Sequence, residues 1–260
     1  MSLLQRMLDK LRKDGILGLA KAVVRRLLTF SSSAPSQPFI EQPSLEKRFT
    51  DIYNENIWES EESRSGPGSE LAYTEALRDW LVENIPALEI KVLLDAPCGD
   101  FNWMRDVVRL INVDYVGLDI VPSLIEENAR RYATHSIKFE VANICEDVLP
   151  SCDLIMVRDC LFHLSFDDVD KFLRNLSRLD YKYLLTTTHI LEQGFQNSDI
   201  ESGGFRLIDL FTSPFDFEET KVADRIFEPP VFEPEMGEIR RELVLIRKEF
   251  VPLSINSQAK

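Results

Sequence analysis

VLLDAPCGDFNW, residues 92–103, is the stretch on which the fold turns. An apolar run ends in Asp95 and passes into a Cys-Gly-Asp turn. The run predicts a strand that delivers Asp95 to the edge of a sheet. The turn at 96–99 exposes backbone amides, and Gly99 lets the main chain approach a ligand closely. Twenty positions beyond Gly99 stands Asp119, which closes a second apolar run, YVGLD, residues 115–119. A carboxylate at that distance in a Rossmann-type unit accepts both ribose hydroxyls. The G-x-G-x-x-G pattern is absent, since Pro97 and Phe101 stand where glycines would make room for a pyrophosphate. The pattern fits a ligand with a ribose and no phosphate better than a dinucleotide. A lone Asp-x-x-x-Gly also serves simply to end a strand and turn a corner; Asp119 in register and further strand-end signals downstream favour the ligand.

From residue 90 onward strand and helix signals alternate. Strands are expected at 90–95, 115–119, 137–141, 153–157 and 181–187, and helices at 101–110, 123–132 and 166–179. Such alternation predicts an α/β fold, a parallel sheet with right-handed crossovers and helices on both faces. Ser165 followed by Asp168 is a start signal for the helix carrying Val169, Phe172, Leu173 and Leu176. Residues 242–250, ELVLIRKEF, read as a late strand. Between Phe205 and Arg241 the pattern is irregular and is expected to cover the strand ends. Upstream, residues 56–71 form a loop with Gly66, Pro67 and Gly68, and Ser69 is the expected N-cap of a helix carrying Leu77, Trp80, Leu81 and Ile85.

The chain of 260 residues, 44% hydrophobic, suffices for one substantial core and an appendage. Its formal charge of −14 argues against a nucleic-acid binder, which must neutralise phosphates. Charge is unevenly placed: residues 1–30 hold seven Lys/Arg against Asp9 and Asp14, giving +5 and leaving −19 on the rest. Apolar residues from Leu3 to Leu28 recur at helical spacing between those cations, with a break near Gly15. Lys21 interrupts the run before a membrane span is reached. This basic amphipathic segment either attaches to an anionic membrane surface or packs on protein. A Ser/Pro linker at 31–45 separates it from a domain at 46–255. Cys98, Cys145, Cys152 and Cys160 lie in or beside expected core strands, with no paired C-x-x-C and no secretory signal. Reduced thiols in a cytoplasmic protein, peripheral at most to the inner membrane surface, and no metal are the expectation.

In an open parallel sheet, ligands gather beyond the carboxyl ends of the strands. After the third strand, in ANICEDVLP, Asn143 is placed to bond an adenine edge and Ile144 to pack on its face; an ordinary Asn turn is the alternative. After the fourth comes RDCLFHL, residues 158–164. If it coils helically, Asp159 and His163 share a side, with the imidazole taking a proton from an acceptor hydroxyl and the carboxylate orienting it. Alternatively Asp159 pairs with Arg158 and His163 is a core histidine. TTTH, residues 186–189, ends the fifth strand, and 197–210 offers Asp199, Arg206 and Asp209 either for polar recognition or as a solvated connection.

Together, LLDAPCGDFNWM, YVGLDIV, ANI and DLIMVRDCLFHL resemble the class I S-adenosylmethionine-dependent methyltransferases, and more closely a bacterial branch that sets S-x-S-G-x-G-S ahead of the DAPCGDFNWM turn. The resemblance spans roughly residues 54–215. It implies a Rossmann-like seven-stranded sheet with one antiparallel strand, the run at 242–250, and S-adenosyl-L-methionine as cofactor. It also implies that Asp95, Ala96, Cys98 and Gly99 line the methionine part, Asp119 the ribose, and Asn143 with Ile144 the adenine. Arg158 is counted with these cofactor-side residues. Arg64 and Trp58 are candidates to close over the cofactor, Arg64 by meeting its carboxylate. Departures from the family pattern are Pro97 and Phe101 in place of glycines and Asn143 where an acid is common. Methyl transfer is an in-line displacement, so alignment dominates, and a base helps a hydroxyl acceptor while a neutral amine needs none. The leading expectation is O-methylation of a small polar or glycan-like acceptor. A nitrogen or protein acceptor, or a non-catalytic scaffold with the same fold, are the alternatives.

Overall fold

The structure is a computed structural model that describes residues 43–233 and 237–256. The basic segment 1–30 and most of the linker lie outside the described residues. Pro43–Lys260 forms one compact unit. Ser44 already caps the first described helix, α1 (Leu45–Asn54), its hydroxyl accepting the Lys47 amide at 3.2 Å, so the linker ends before residue 45.

Next come helix α2 (Glu75–Ala87), strand β1 (Val92–Asp95), the short helix α3 (Met104–Val107) and strand β2 (Asp114–Asp119). Helix α4 (Pro122–Tyr132) leads to β3 (Ile137–Val141) and β4 (Leu154–Val157), and helix α5 (Phe166–Arg178) to β5 (Tyr183–His189). Strand β6 (Val222–Phe227), the hairpin of β7 (Val231–Glu233) and β8 (Gly237–Ile239), and β9 (Arg241–Arg247) complete the chain. The sheet order is β3-β2-β1-β4-β5-β9-β6. β1 to β5 pair in parallel, and β9 lies antiparallel between β5 and β6. This is the expected Rossmann-like architecture.

Both faces of the sheet's centre are covered, which explains why β1 and β4 read as continuous apolar runs. Leu94, Ile155, Val157, Leu184, Val244 and Ile246 face the cluster built on α5, through Val169, Phe172, Leu173 and Leu176. Their neighbours Leu93, Leu154, Met156, Leu185, Leu243 and Leu245 face the other side, where α2 and α3 contribute Leu77, Leu81, Ile85, Met104 and Val107. The two-residue period sorts each strand between two cores.

Three local expectations are corrected. Helix α2 starts at Glu75 after Thr74, while Ser69 ends a single 3-10 turn, Pro67–Ser69. The helix expected at 101–110 shrinks to α3, because Phe101 adopts a left-handed backbone (φ 58°) and closes the turn rather than opening a helix. The segment before Arg241, expected to be irregular, contains the seventh strand, β6. Its polar outer residues and a register shift between Val222 and Asp224 hid the alternation. The Ser165 cap is present as expected, its hydroxyl accepting the Asp168 amide at 3.2 Å.

Candidate active site

The turn after β1 and the end of β2 are joined by a carboxylate. Asp119, 7% exposed, accepts the Gly99 amide on Oδ2 at 3.1 Å and the Val121 amide on Oδ1 at 3.0 Å. Burial pushes it up to about 6 against those bonds. Asp95, buried at the end of β1, accepts the Tyr115 hydroxyl at 2.7 Å, and burial pushes it up to about 7. Cys98 hangs its amide on the Leu118 carbonyl at 2.8 Å, and its thiol, buried beside Asp119 and Asp95, lies well above the usual thiol range. Ala96 is fully buried.

Gly99 has φ 55°, and a Cβ there would collide with the Ser65 hydroxyl. The loop at 56–71 therefore rests directly on the glycine turn. Asp100 fastens it: its carboxylate takes the Ser63 hydroxyl at 3.0 Å and the Arg64 amide at 2.8 Å, while its amide donates to Ser65 Oγ at 2.9 Å. The Arg64 guanidinium itself reaches the Tyr53 carbonyl, at 3.4 Å, and stands over that ring. Trp58 packs 5.4 Å from His163. After β3, Asn143 makes the turn considered in the sequence, its Oδ1 accepting the Cys145 amide at 3.0 Å, and the buried Ile144 presents its carbonyl to Asn175.

At the ends of β4, β6 and β9 lies a buried charge cluster that local sequence reading did not assemble. Glu228 takes Arg158 on Oε1 (2.6 Å) and Arg241 on Oε2 (2.7 Å). Asp159 Oδ2 takes the same two arginines at 3.1 and 3.0 Å. Arg158 also donates to the Gly68 carbonyl at 2.7 Å, and Tyr73 faces the Arg241 guanidinium 4.7 Å away. A Cβ on Gly68 would lie 2.7 Å from both Arg241 Nη2 and Asp159 Oδ2, so only glycine lets the loop come this close. The two arginines hold Asp159 below the usual carboxylate range despite its burial.

Asp159 and His163 do not sit on one α-helical face. Asp159 has φ 51°, and Leu161–His163 is a single 3-10 turn. The group that orients the imidazole is the Gly204 carbonyl, 2.7 Å from Nδ1. Asp159 acts on His163 through space while it bonds the arginines and Thr187, whose Oγ1 stands 3.2 Å from Asp159 Oδ1. A carbonyl only accepts, so Nδ1 carries the proton and the neutral ring presents its lone pair at Nε2. Burial lowers the His163 pKa and favours that neutral form.

Residues 93–179 match the model of a methyltransferase domain, about a third of the chain. Solved structures share the fold at low identity. The Burkholderia thailandensis 1,6-didemethyltoxoflavin-N1-methyltransferase, bound to 1,6-didemethyltoxoflavin and S-adenosylhomocysteine, superposes with a TM-score of 0.55 at 16% identity over 82% of this chain and 93% of that one. The Synechocystis magnesium protoporphyrin IX methyltransferase with bound S-adenosylhomocysteine does so at 0.51 and 13%, over 77% and 99%. The [4+2]-cyclase SpnF reaches 0.57 at 15%, over 81% and 98%. No curated protein matches the chain. Residues 93–179 thus carry a methyltransferase-domain signature within a chain that has the class I methyltransferase fold. S-adenosylmethionine is its expected methyl donor.

Proposed function

We propose that this protein transfers a methyl group from S-adenosylmethionine to a hydroxyl of a small polar, glycan-like acceptor, as a member of the bacterial branch its motifs resemble. The observation that carries the reading is the His163 tautomer: Nδ1–H is fixed by the Gly204 carbonyl, which leaves Nε2 free to receive a proton beyond the end of β4. The residues present suit the donor. Asp119 is a buried carboxylate at a strand end, Gly99 a backbone turn no side chain would fit, and Ala96 and Cys98 the wall between them. Asp119 would hold the ribose, the 95–99 turn the methionine part, and Asn143 with Ile144 the adenine; when bound, the sulfonium supplies an electrophilic methyl. The loop at 56–71, latched by Asp100 and carrying Trp58 and Arg64, would exclude water. Arg158 and Asp159 would keep that loop and the β4 end in place from below. Asp159 also supplies the negative potential that stabilises an imidazolium on His163.

One neighbour in fold methylates nitrogen and another is named a cyclase, so acceptor chemistry does not follow from fold. Calorimetry with S-adenosylmethionine, followed by transfer of a labelled methyl to glycosides, tests the reading. Absence of binding would leave a scaffold with a methyltransferase fold. Binding with transfer only to amines would make it an N-methyltransferase. No described helix is long and apolar enough to cross a membrane. The +5 charge of residues 1–30 supports peripheral attachment to an anionic surface, which sedimentation with anionic vesicles at low salt would test.

A further inference from the structure

His189, the last residue of β5, is 3% exposed, and its Nε2 is buried without a hydrogen-bond partner. Its Nδ1 stands 3.1 Å from the Ile208 amide. That amide only donates. The nearby Ile208 carbonyl, 3.3 Å from Nδ1, already accepts the His189 backbone amide at 2.8 Å. Nδ1 is therefore the acceptor, and the neutral ring carries its proton on Nε2. Burial drives His189 down to about 4, so the ring is neutral in ordinary buffers. His163 is the opposite tautomer.

One loop fixes both. Gly204 contributes the carbonyl that holds His163 and Ile208 the amide that holds His189. The same loop is stitched down by the Gly203 amide on the His163 carbonyl (2.7 Å) and the Arg206 amide on the Phe162 carbonyl (3.2 Å). Between these anchors Phe205, 43% exposed, stands 6.0 Å from the His163 ring and 6.1 Å from the His189 ring. Phe162 packs against both, at 4.5 and 5.2 Å. A proton acceptor and an unpaired proton donor thus share one aromatic wall beyond the sheet edge. Leaving a buried donor unpaired is unfavourable, a cost removed when a ligand oxygen arrives.

We propose that His189 is a second recognition group for the acceptor, its Nε2–H donating to an oxygen on the carbon adjacent to the hydroxyl that gives its proton to His163. The acceptor is then a vicinal diol, with the C–H face of its ring against Phe205 and Phe162. This rests on the reading of His163 as base, and it adds what that reading lacks, the reason one hydroxyl among several is chosen.

The chain has three histidines, so long-range ¹H–¹⁵N spectra of the full-length protein resolve each ring. With S-adenosylhomocysteine present, cis-cyclohexane-1,2-diol should shift the His189 Nε2–H and His163 signals, while cyclohexanol should shift only His163. His189→Phe should bring diol affinity down to that of cyclohexanol, about tenfold, the worth of one neutral hydrogen bond. His189→Gln, which keeps a donor, should recover most of it. Identical tautomers on the two rings overturn the proposal, as does a diol that moves neither ring or binds His189→Phe unchanged. If His189→Phe does not fold, the wild-type tautomers and the diol titration decide. Failure of S-adenosylhomocysteine to bind removes the methyltransferase reading instead, and the titration is then judged without it.

Discussion

The Gly99 amide and the Asp119 carboxylate meet at 3.1 Å, tying the turn after β1 to the end of β2. With Oδ1 on Val121, the carboxylate shapes the cleft before any ligand enters, and its remaining lone pairs are those a ribose diol would use. Preorganisation of this kind lowers the entropy cost of binding.

Asp119→Ala should therefore weaken S-adenosylmethionine binding by well over tenfold, since charge-assisted bonds are worth about 1.5–3 kcal/mol each. It should also lower stability modestly, because two amides lose their acceptor. Asp119→Asn retains one acceptor oxygen and should recover the stability more than the affinity. Calorimetry beside thermal unfolding separates the two effects. Affinity unchanged in the Ala variant would remove Asp119 from the ribose.

The charge cluster gives a different kind of prediction. Glu228→Ala leaves Arg158 and Arg241 buried with Asp159 alone between them, and breaking a buried pair in this way costs about 3–5 kcal/mol. Urea unfolding should register that loss, with Glu228→Gln falling between Ala and wild type. Because Arg158 also holds the Gly68 carbonyl, the Ala variant should expose the loop at 56–71 to faster proteolysis. Stability within about 0.5 kcal/mol of wild type, the range of ordinary surface changes, would mean that the cluster supports nothing.

These cases mark what was legible in the chain. Asp95, Gly99 and Asp119 were readable because the turn and its carboxylate lie within one strand-turn-strand unit, where spacing fixes geometry. The sandwiched strands β1 and β4 were readable because burial on both faces writes itself as an unbroken apolar run. Glu228 and Arg241 were not, since Arg158 meets Glu228 across 70 positions and Asp159 meets Arg241 across 82, and no local pattern encodes such pairings. Gly68 stood in a run that announced a turn without saying what its missing side chain made room for. β6 failed for the opposite reason to β1: at the sheet edge one side is wet, and a bulge breaks the period.

Asp95 sets a pH dependence. Its carboxyl holds its proton more tightly when folded, up to about 7, than in an unfolded chain, near 3.8. Stability is greatest where the group is protonated in both states and is lost as pH rises from about 4 to about 7; Asp119 acts in the same direction up to about 6. For Asp95 the loss is on the order of 4 kcal/mol at most. Asp95→Asn keeps an acceptor for the Tyr115 hydroxyl and cannot ionise. Without cofactor it should match wild type near pH 4 and exceed it at pH 8 in urea midpoint. Parallel curves for the two proteins would show that Asp95 is not the titrating group.

His163 carries the test of chemistry. With Nδ1–H on the Gly204 carbonyl, Nε2 is the only ring atom able to take a proton, and Trp58, Phe162 and Phe205 close the ring in on its sides. If that atom receives the acceptor proton, His163→Ala should lower kcat by about 100-fold or more while leaving S-adenosylmethionine affinity nearly unchanged, the usual size of a general-base contribution. The wild-type rate should fall on acidification as the imidazole protonates. Burial, with Arg241 and Arg206 adding to it, lowers the His163 pKa further than the Gly204 bond and Asp159 raise it, so the acid limb should lie below the 6.5 of an unperturbed histidine. His163→Ala should abolish that limb along with the rate. A variant that unfolds, or one that turns over a hydroxyl acceptor normally with the same acid limb, would make His163 part of the aromatic wall and return the base to some other group.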